Sequence, residues 1–168
     1  FFFLLGLTIP FESIIVPLYY QVDRLHLLNT QLAIVFPLIA LFMPFSIFWM
    51  RAHFLRIPSE ISEAARVDGA SNLQLFTKVL IPLVTPGLVA TGVFVALLSW
   101  NEFLIPIIMA GESSKTMPIL VASFISNRTL DWGPMAAAAT VALLPIVIFT
   151  IAIQKWLVVG LSGGAVKE

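Results

Sequence analysis

The chain has 168 residues, of which 60% are hydrophobic and 11% charged, and its mean hydropathy is +1.02. A soluble domain carries about 25% charged residues, so a chain this apolar has more greasy surface than one small core can bury, and its remaining solvent is lipid. Nine basic and nine acidic residues balance to zero, which leaves no clustered basic face for nucleic acid, and the lack of cysteine excludes disulfides, cysteine-based zinc sites and thiol catalysis within this sequence.

The sequence opens Phe1-Phe2-Phe3-Leu4-Leu5, without an initiator Met and without the basic lead-in of a signal peptide. It reads as an N-terminally truncated piece whose missing part carried further spans. Residues 1–20 are apolar apart from Glu12, and the stretches 31–50, 79–101 and 132–154 contain no Asp, Glu, Lys or Arg. A helix needs about 20 apolar residues to cross the hydrocarbon of a bilayer. Only helices satisfy their own backbone there, short of a closed barrel. The expectation is an all-α, polytopic membrane bundle with four spans near 1–20, 31–50, 84–109 and 135–157. The third is expected to run on past Asn101 and Glu102.

Loop charge sets the orientation. Residues 51–82 hold Arg51, Arg56, Arg66 and Lys78, and the tail holds Lys155 and Lys167; the other loops hold only Arg24, Lys115 and Arg128. The positive-inside rule places 51–82 and the C-terminus in the cytoplasm. Pro10, Pro17, Pro37, Pro44, Pro106 and Pro145 fall within the expected spans. Each removes a helix hydrogen bond. They fit ordinary kinks, and equally curved helices around a gated cavity.

Residues 57–82 predict a helix, a turn and a second helix. Pro58 and Ser59 mark a start, with Ser59 as N-cap. Glu60 and Glu63 sit where the helix dipole favours acids. Gly69 suits the left-handed residue that closes a helix, and Ser71 or Asn72 can cap the next. That second helix carries Leu73, Phe76 and Leu80 along one side and is expected to end before Pro82. On spacing alone, this could be an amphipathic pair lying on the membrane surface.

The same segment resembles the EAA loop of binding-protein-dependent ABC importer permeases. That pattern is Glu-Ala-Ala, three residues, Gly, nine residues, then Ile-x-Leu-Pro. Here Glu63-Ala64-Ala65 is followed after three residues by Gly69, and after nine more by Val79-Leu80-Ile81-Pro82. Val79 and Ile81 depart from it conservatively. Leu27-Leu28-Asn29-Thr30, Asp68-Gly69-Ala70, Trp100-Asn101-Glu102-Phe103 and the ending Gly160-Leu161-Ser162-Gly163-Gly164 look like the carbohydrate branch of the family, near the second permease subunit of maltose-type systems.

The resemblance implies a type I importer permease fold, of which this piece would be the last four of about six core spans. It implies a coupling helix docked on a cytoplasmic ATPase, with Glu63, Ala64, Ala65, Asp68 and Gly69 as the ATPase-coupling residues. The implied partners are a second permease subunit, two ATPase subunits and an extracytoplasmic sugar-binding protein, all around a lipid bilayer. ATP and Mg would be bound by the ATPase and no cofactor by this chain.

Glu12, Asn101 and Glu102 fall at membrane depth, where a charge costs at least about 2.5–3.5 kcal/mol and faces a bundle interior or a wet cavity. They are candidates for the translocation path, where their acceptors could meet sugar hydroxyls; bonding to a neighbouring helix explains them as well. Trp132 suits an interface anchor, and the alanines from Ala136 to Ala139 suit close helix packing. An ion-coupled secondary transporter or channel would explain the spans but not the patterned loop. A membrane enzyme would need a catalytic set that His26, His53 and the scattered acids do not offer at readable spacing.

Overall fold

The computed structural model describes residues 3, 6, 8–125 and 131–162, the last eight of these as backbone only. Helix α1, Phe11–Arg24, starts just after Pro10 and contains Pro17. Pro10 is therefore not inside a helix as expected: Thr8 is helical, whereas Ile9 and Pro10 are not. No backbone N–H is needed ahead of a first turn, so proline, which has none, is cheap at that position. The end of α1 is closed without glycine. His26 takes φ 55°, and the N–H groups of His26 and Leu27 donate to the carbonyls of Asp23 and Val22, a Schellman pattern.

Helix α2 runs over Leu32–Phe54 and contains Pro37 and Pro44. Thr30 Oγ1 accepts from the Ala33 N–H at 3.4 Å, satisfying an orphan donor of the first turn. Helix α3 is Ser59–Val67. Helix α4 is continuous over Asn72–Asn101, with a π-helical stretch at Leu75–Leu80. Then follow α5, Leu104–Met109, a 3₁₀ turn at Glu112–Ser114, α6, Met117–Ala122, and α7, Trp132–Ser162, which contains Pro145.

Two boundaries differ from the sequence expectation. The helix after the turn at Gly69 does not end before Pro82. The Ile81 N–H bonds five residues back, to the Phe76 carbonyl, and this wider turn takes in the proline ring without ending the rod. The following helix also does not continue to 109. It stops at Asn101, Glu102 becomes extended at ψ 129°, and α5 begins afresh at Leu104.

Among the described residues, α2, α4 and α7 are long and apolar enough to cross a membrane. Helix α1 has only 14 residues, and residues 1, 2, 4, 5 and 7 of the expected 1–20 span lie outside the described set. So do residues 126–130, with Arg128, and the side chains of the tail.

Helix α4 packs between α2 and α7, α6 lies on α7, and α5 sits on α1 and α2. A buried cluster of Ile15, Val22, Ala33, Ile105 and Met109 holds α1, α2 and α5 together. Outside it, the helices present apolar surface: Phe36, Phe48, Leu143 and Ile148 are all more than half exposed. An apolar surface of this extent fits lipid or neighbouring helices. Ala138 and Ala139 are half-buried, while Ala136, Ala137 and Trp132 face outward.

Candidate coupling site

The segment between α2 and α4 folds largely from local rules. Pro58 is the N-cap of α3, and Ser59 is its first residue and makes no capping bond, contrary to the expectation that Ser59 caps it. The end of α3 follows the Schellman pattern: Gly69 takes φ 81°, its N–H donates to the Arg66 carbonyl, and the Ala70 N–H donates to the Ala65 carbonyl. Ser71 then caps α4 reciprocally. Its Oγ accepts from the Gln74 N–H at 3.3 Å, and its own N–H donates to Gln74 Oε1 at 2.9 Å.

Long-range packing braces this unit from beneath. The rings of Phe54, at the end of α2, and Phe76, in the π stretch, stack with centroids 6.4 Å apart and planes 10° apart. Leu75 is buried beside them. Leu73, grouped from the sequence with Phe76 and Leu80, is instead 72% exposed; a π turn does not keep the 3.6-residue register on which that grouping rests.

The outer side of α3 is bare. Glu63, Ala64, Arg66, Val67, Asp68 and Gly69 are exposed, and Ala65 is half-buried. Val67 is 87% exposed, so an apolar side chain stands free at the tip of the loop. Glu63 and Arg66 do not pair; among the described residues the one salt bridge joins Lys115 to Glu112 at 2.6 Å. Between α3 and the start of α4 lies an open groove of about 380 Å³, lined by Ala65, Asp68, Gly69, Ala70, Gln74, Lys78 and Val79. Its lining combines small residues with one charge of each sign. Such a groove can admit a protruding side chain from a partner and fix its orientation.

The expected path residues are not gathered into one cluster. Asn101 ends α4, and its Nδ2 donates to the Leu97 carbonyl at 2.7 Å, leaving Oδ1 without a partner among the described residues. Glu102 Oε1 accepts from the Ile105 N–H at 3.0 Å, and so caps α5. Glu12 lies exposed in the first turn of α1, where the helix dipole favours it. Among the described residues no hydrogen bond or ion pair joins Glu12 to the other two, and no group of His, Cys, Asp and Glu is placed to hold a metal ion.

Two features escaped the sequence reading. One is the contact of Asn29 with Gly111, within a Leu-Leu-Asn-Thr string whose role its letters do not give. The other is the contact of His53 with Gly87. Both join residues far apart in the chain.

Comparison with known proteins agrees with this architecture. Residues 1–162 match the family described as the binding-protein-dependent transport system inner membrane component. The chain is 35% identical over 171 residues to the arabinooligosaccharides transport system permease protein AraQ of Halalkalibacterium halodurans, covering 99% of this chain and 61% of that protein. It is 32% identical over 168 residues to the trehalose/maltose transport system permease protein MalG of Thermococcus litoralis, covering 98% and 60%. It is 38% identical over 164 residues to the probable ABC transporter permease protein y4oR of Sinorhizobium fredii, covering 98% and 59%. The chain thus spans about three-fifths of the length of these relatives. With its all-helical bundle and patterned loop, it belongs to the family of inner-membrane components of binding-protein-dependent transport systems.

Proposed function

We propose that the protein is the permease subunit of an ATP-driven, binding-protein-dependent importer, and that its cargo is a sugar. The observation that carries this reading is the exposed helix-turn-helix in which Glu63, Ala64 and Ala65 stand three residues before the left-handed Gly69. The names of the relatives, which move arabinooligosaccharides and trehalose or maltose, support the cargo class.

In this reading residues 51–82 and the C-terminus are cytoplasmic. The small side chains of Ala64 and Ala65 let an ATPase surface approach the backbone of α3. Glu63 meets a basic or polar group on that surface, and Asp68 and Gly69 border the groove that receives it. ATP and Mg are bound by the ATPase partner, and this chain performs no bond chemistry. Closure of two ATPase subunits draws the coupling loops of two permease subunits together and switches the bundle between inward-open and outward-open. An extracytoplasmic binding protein delivers the sugar. Asn101, with Oδ1 unspent, and Glu12 face the path.

The test is a crosslink. Cysteine is placed at Ala64 of the full-length permease in a cysteine-free background, expressed with its gene neighbours, and crosslinked in membranes. A crosslink to an ATPase subunit that changes with ATP supports the reading. Uptake that survives removal of the ATPase, with no crosslink formed, overturns it in favour of an ion-coupled transporter.

A further inference from the structure

Helix α5 is six residues long and is held at both ends by groups outside it. At its start the Ile105 N–H donates to Glu102 Oε1 at 3.0 Å. At its end the Met109 carbonyl accepts from the Asn29 N–H at 3.0 Å. Asn29, at φ 64°, lies so close to Gly111 that a Cβ there would stand 2.6 Å from its Oδ1. Ser113 Oγ donates to the Asn29 carbonyl at 3.3 Å. The loop between α1 and α2 is thus fastened to the segment after α5.

The apolar contacts fall on the same side. Ile105 and Met109 pack with Ile15, Val22 and Ala33, joined by Leu38 and Leu41 from the first half of α2. Among the described residues this cluster draws nothing from α4 or α7. Helix α4 packs instead on the second half of α2: Phe94 on Trp49 with ring centroids 5.4 Å apart, Thr91 on Met50, and Gly87 on His53.

Between residues 35–46 of α2 and the last third of α4 lies an open cavity of about 430 Å³, bordered by Val35, Phe42 and Ser46 on one side and Val95 and Ser99 on the other. The chain therefore forms two packed bodies. One is α1, the first half of α2, and α5. The other is the second half of α2, α4 and α7. Three links join them. In α2 the link contains Pro44, which lacks a helix hydrogen bond. The second is the non-helical step at 102–103, and the third is the non-helical pair Lys115 and Thr116, which leads into α6 on the face of α7.

We propose that Glu102 is a positioning residue: its carboxylate anchors α5 to the first body, so that the 102–103 step and Pro44 act as joints on which that body moves against α4 and α7, closing or opening the cavity between them. This rests on the importer reading, because the transport cycle is what would drive the motion.

The test uses the full-length permease in its assembled complex. Spin labels on cysteines at Gln31 and Glu112 report within the first body, and labels at Leu98 and Glu112 report across the joint. On trapping the ATP-bound state, the first distance should stay fixed and the second should shift. Glu102→Ala should broaden the second distance and lower maximal uptake by about tenfold at unchanged half-saturation. Glu102→Gln, which keeps an acceptor oxygen, should restore both.

A Leu98–Glu112 distance that is the same in both states overturns the proposal. So does a Gln31–Glu112 distance that moves as much, or a half-saturation that shifts in Glu102→Gln, since that marks direct sugar contact. A wild-type complex whose uptake ignores ATP overturns the importer reading alone. The two label pairs are then compared between sugar-free and sugar-loaded permease, with the same outcomes deciding.

Discussion

The imidazole of His53 in α2 fills the space that any side chain at Gly87 in α4 would need. A Cβ at Gly87 would collide with Cγ and Nδ1 of the ring. Gly87 is buried and is followed along the same helix by buried Ala90 and Thr91. Small residues are what let two membrane helices approach this closely. The contact lies next to the candidate coupling loop, because His53 stands one residue before Phe54, whose ring stacks on Phe76. The crossing of α2 and α4 and the seating of the loop are therefore one packing problem.

Gly87→Ala should accordingly destabilise the full-length permease by about 1–3 kcal/mol, the usual cost of overpacking. The His53→Ala, Gly87→Ala double variant should lose less than the sum of the single losses, because the ring that obstructs the new methyl is gone. Denaturant titration of all four proteins checks this. Additive losses would show that the two residues do not share the contact.

Gly69→Ala tests backbone conformation by itself. Nothing lies within 4 Å of a Cβ at Gly69, so no clash accompanies the change. The left-handed φ of 81° still costs an L-residue about 1–2 kcal/mol. The expected result is faster amide exchange at Ala70, whose N–H bonds to the Ala65 carbonyl. Unchanged exchange would mean the turn tolerates a side chain.

Ser71→Ala removes one half of the reciprocal cap on α4 and should cost about 1 kcal/mol. Ser71→Asp, which keeps an acceptor, should cost much less. Amide exchange at Gln74, whose N–H donates to Ser71 Oγ, distinguishes the two.

Glu63→Lys reverses an exposed charge that pairs with nothing among the described residues of this chain. Its effect on folding should therefore be small, within about 0.5 kcal/mol. Uptake should fall while ATP hydrolysis by the partner continues. Normal uptake at normal expression would remove Glu63 from the coupling site.

Much of the candidate coupling site was legible because it is local. Gly69 as the closing residue and Ser71, one of the two caps expected, follow from groups within five residues of each other, and the spacing from Glu63 to Gly69 is a property of the string. The candidate path was less legible. Asn101 and Glu102 stood out as polar residues in an apolar run, yet the letters did not tell that Glu102 turns its carboxylate onto Ile105, because the helix was expected to continue through it.

By itself the sequence determined that this chain is a helical membrane protein with a patterned polar loop. Hydrophobic transfer and backbone satisfaction in lipid leave a long charge-free run few other options. The tertiary structure decided where the helices stop and what they touch. The π turn that carries α4 through Pro82, the break at Glu102, the seat of α5 on Asn29 and the contact of His53 with Gly87 depend on surroundings that no short stretch specifies. A proline or a glutamate in an apolar run can sit within a helix or end one, and the packing around it selects between them.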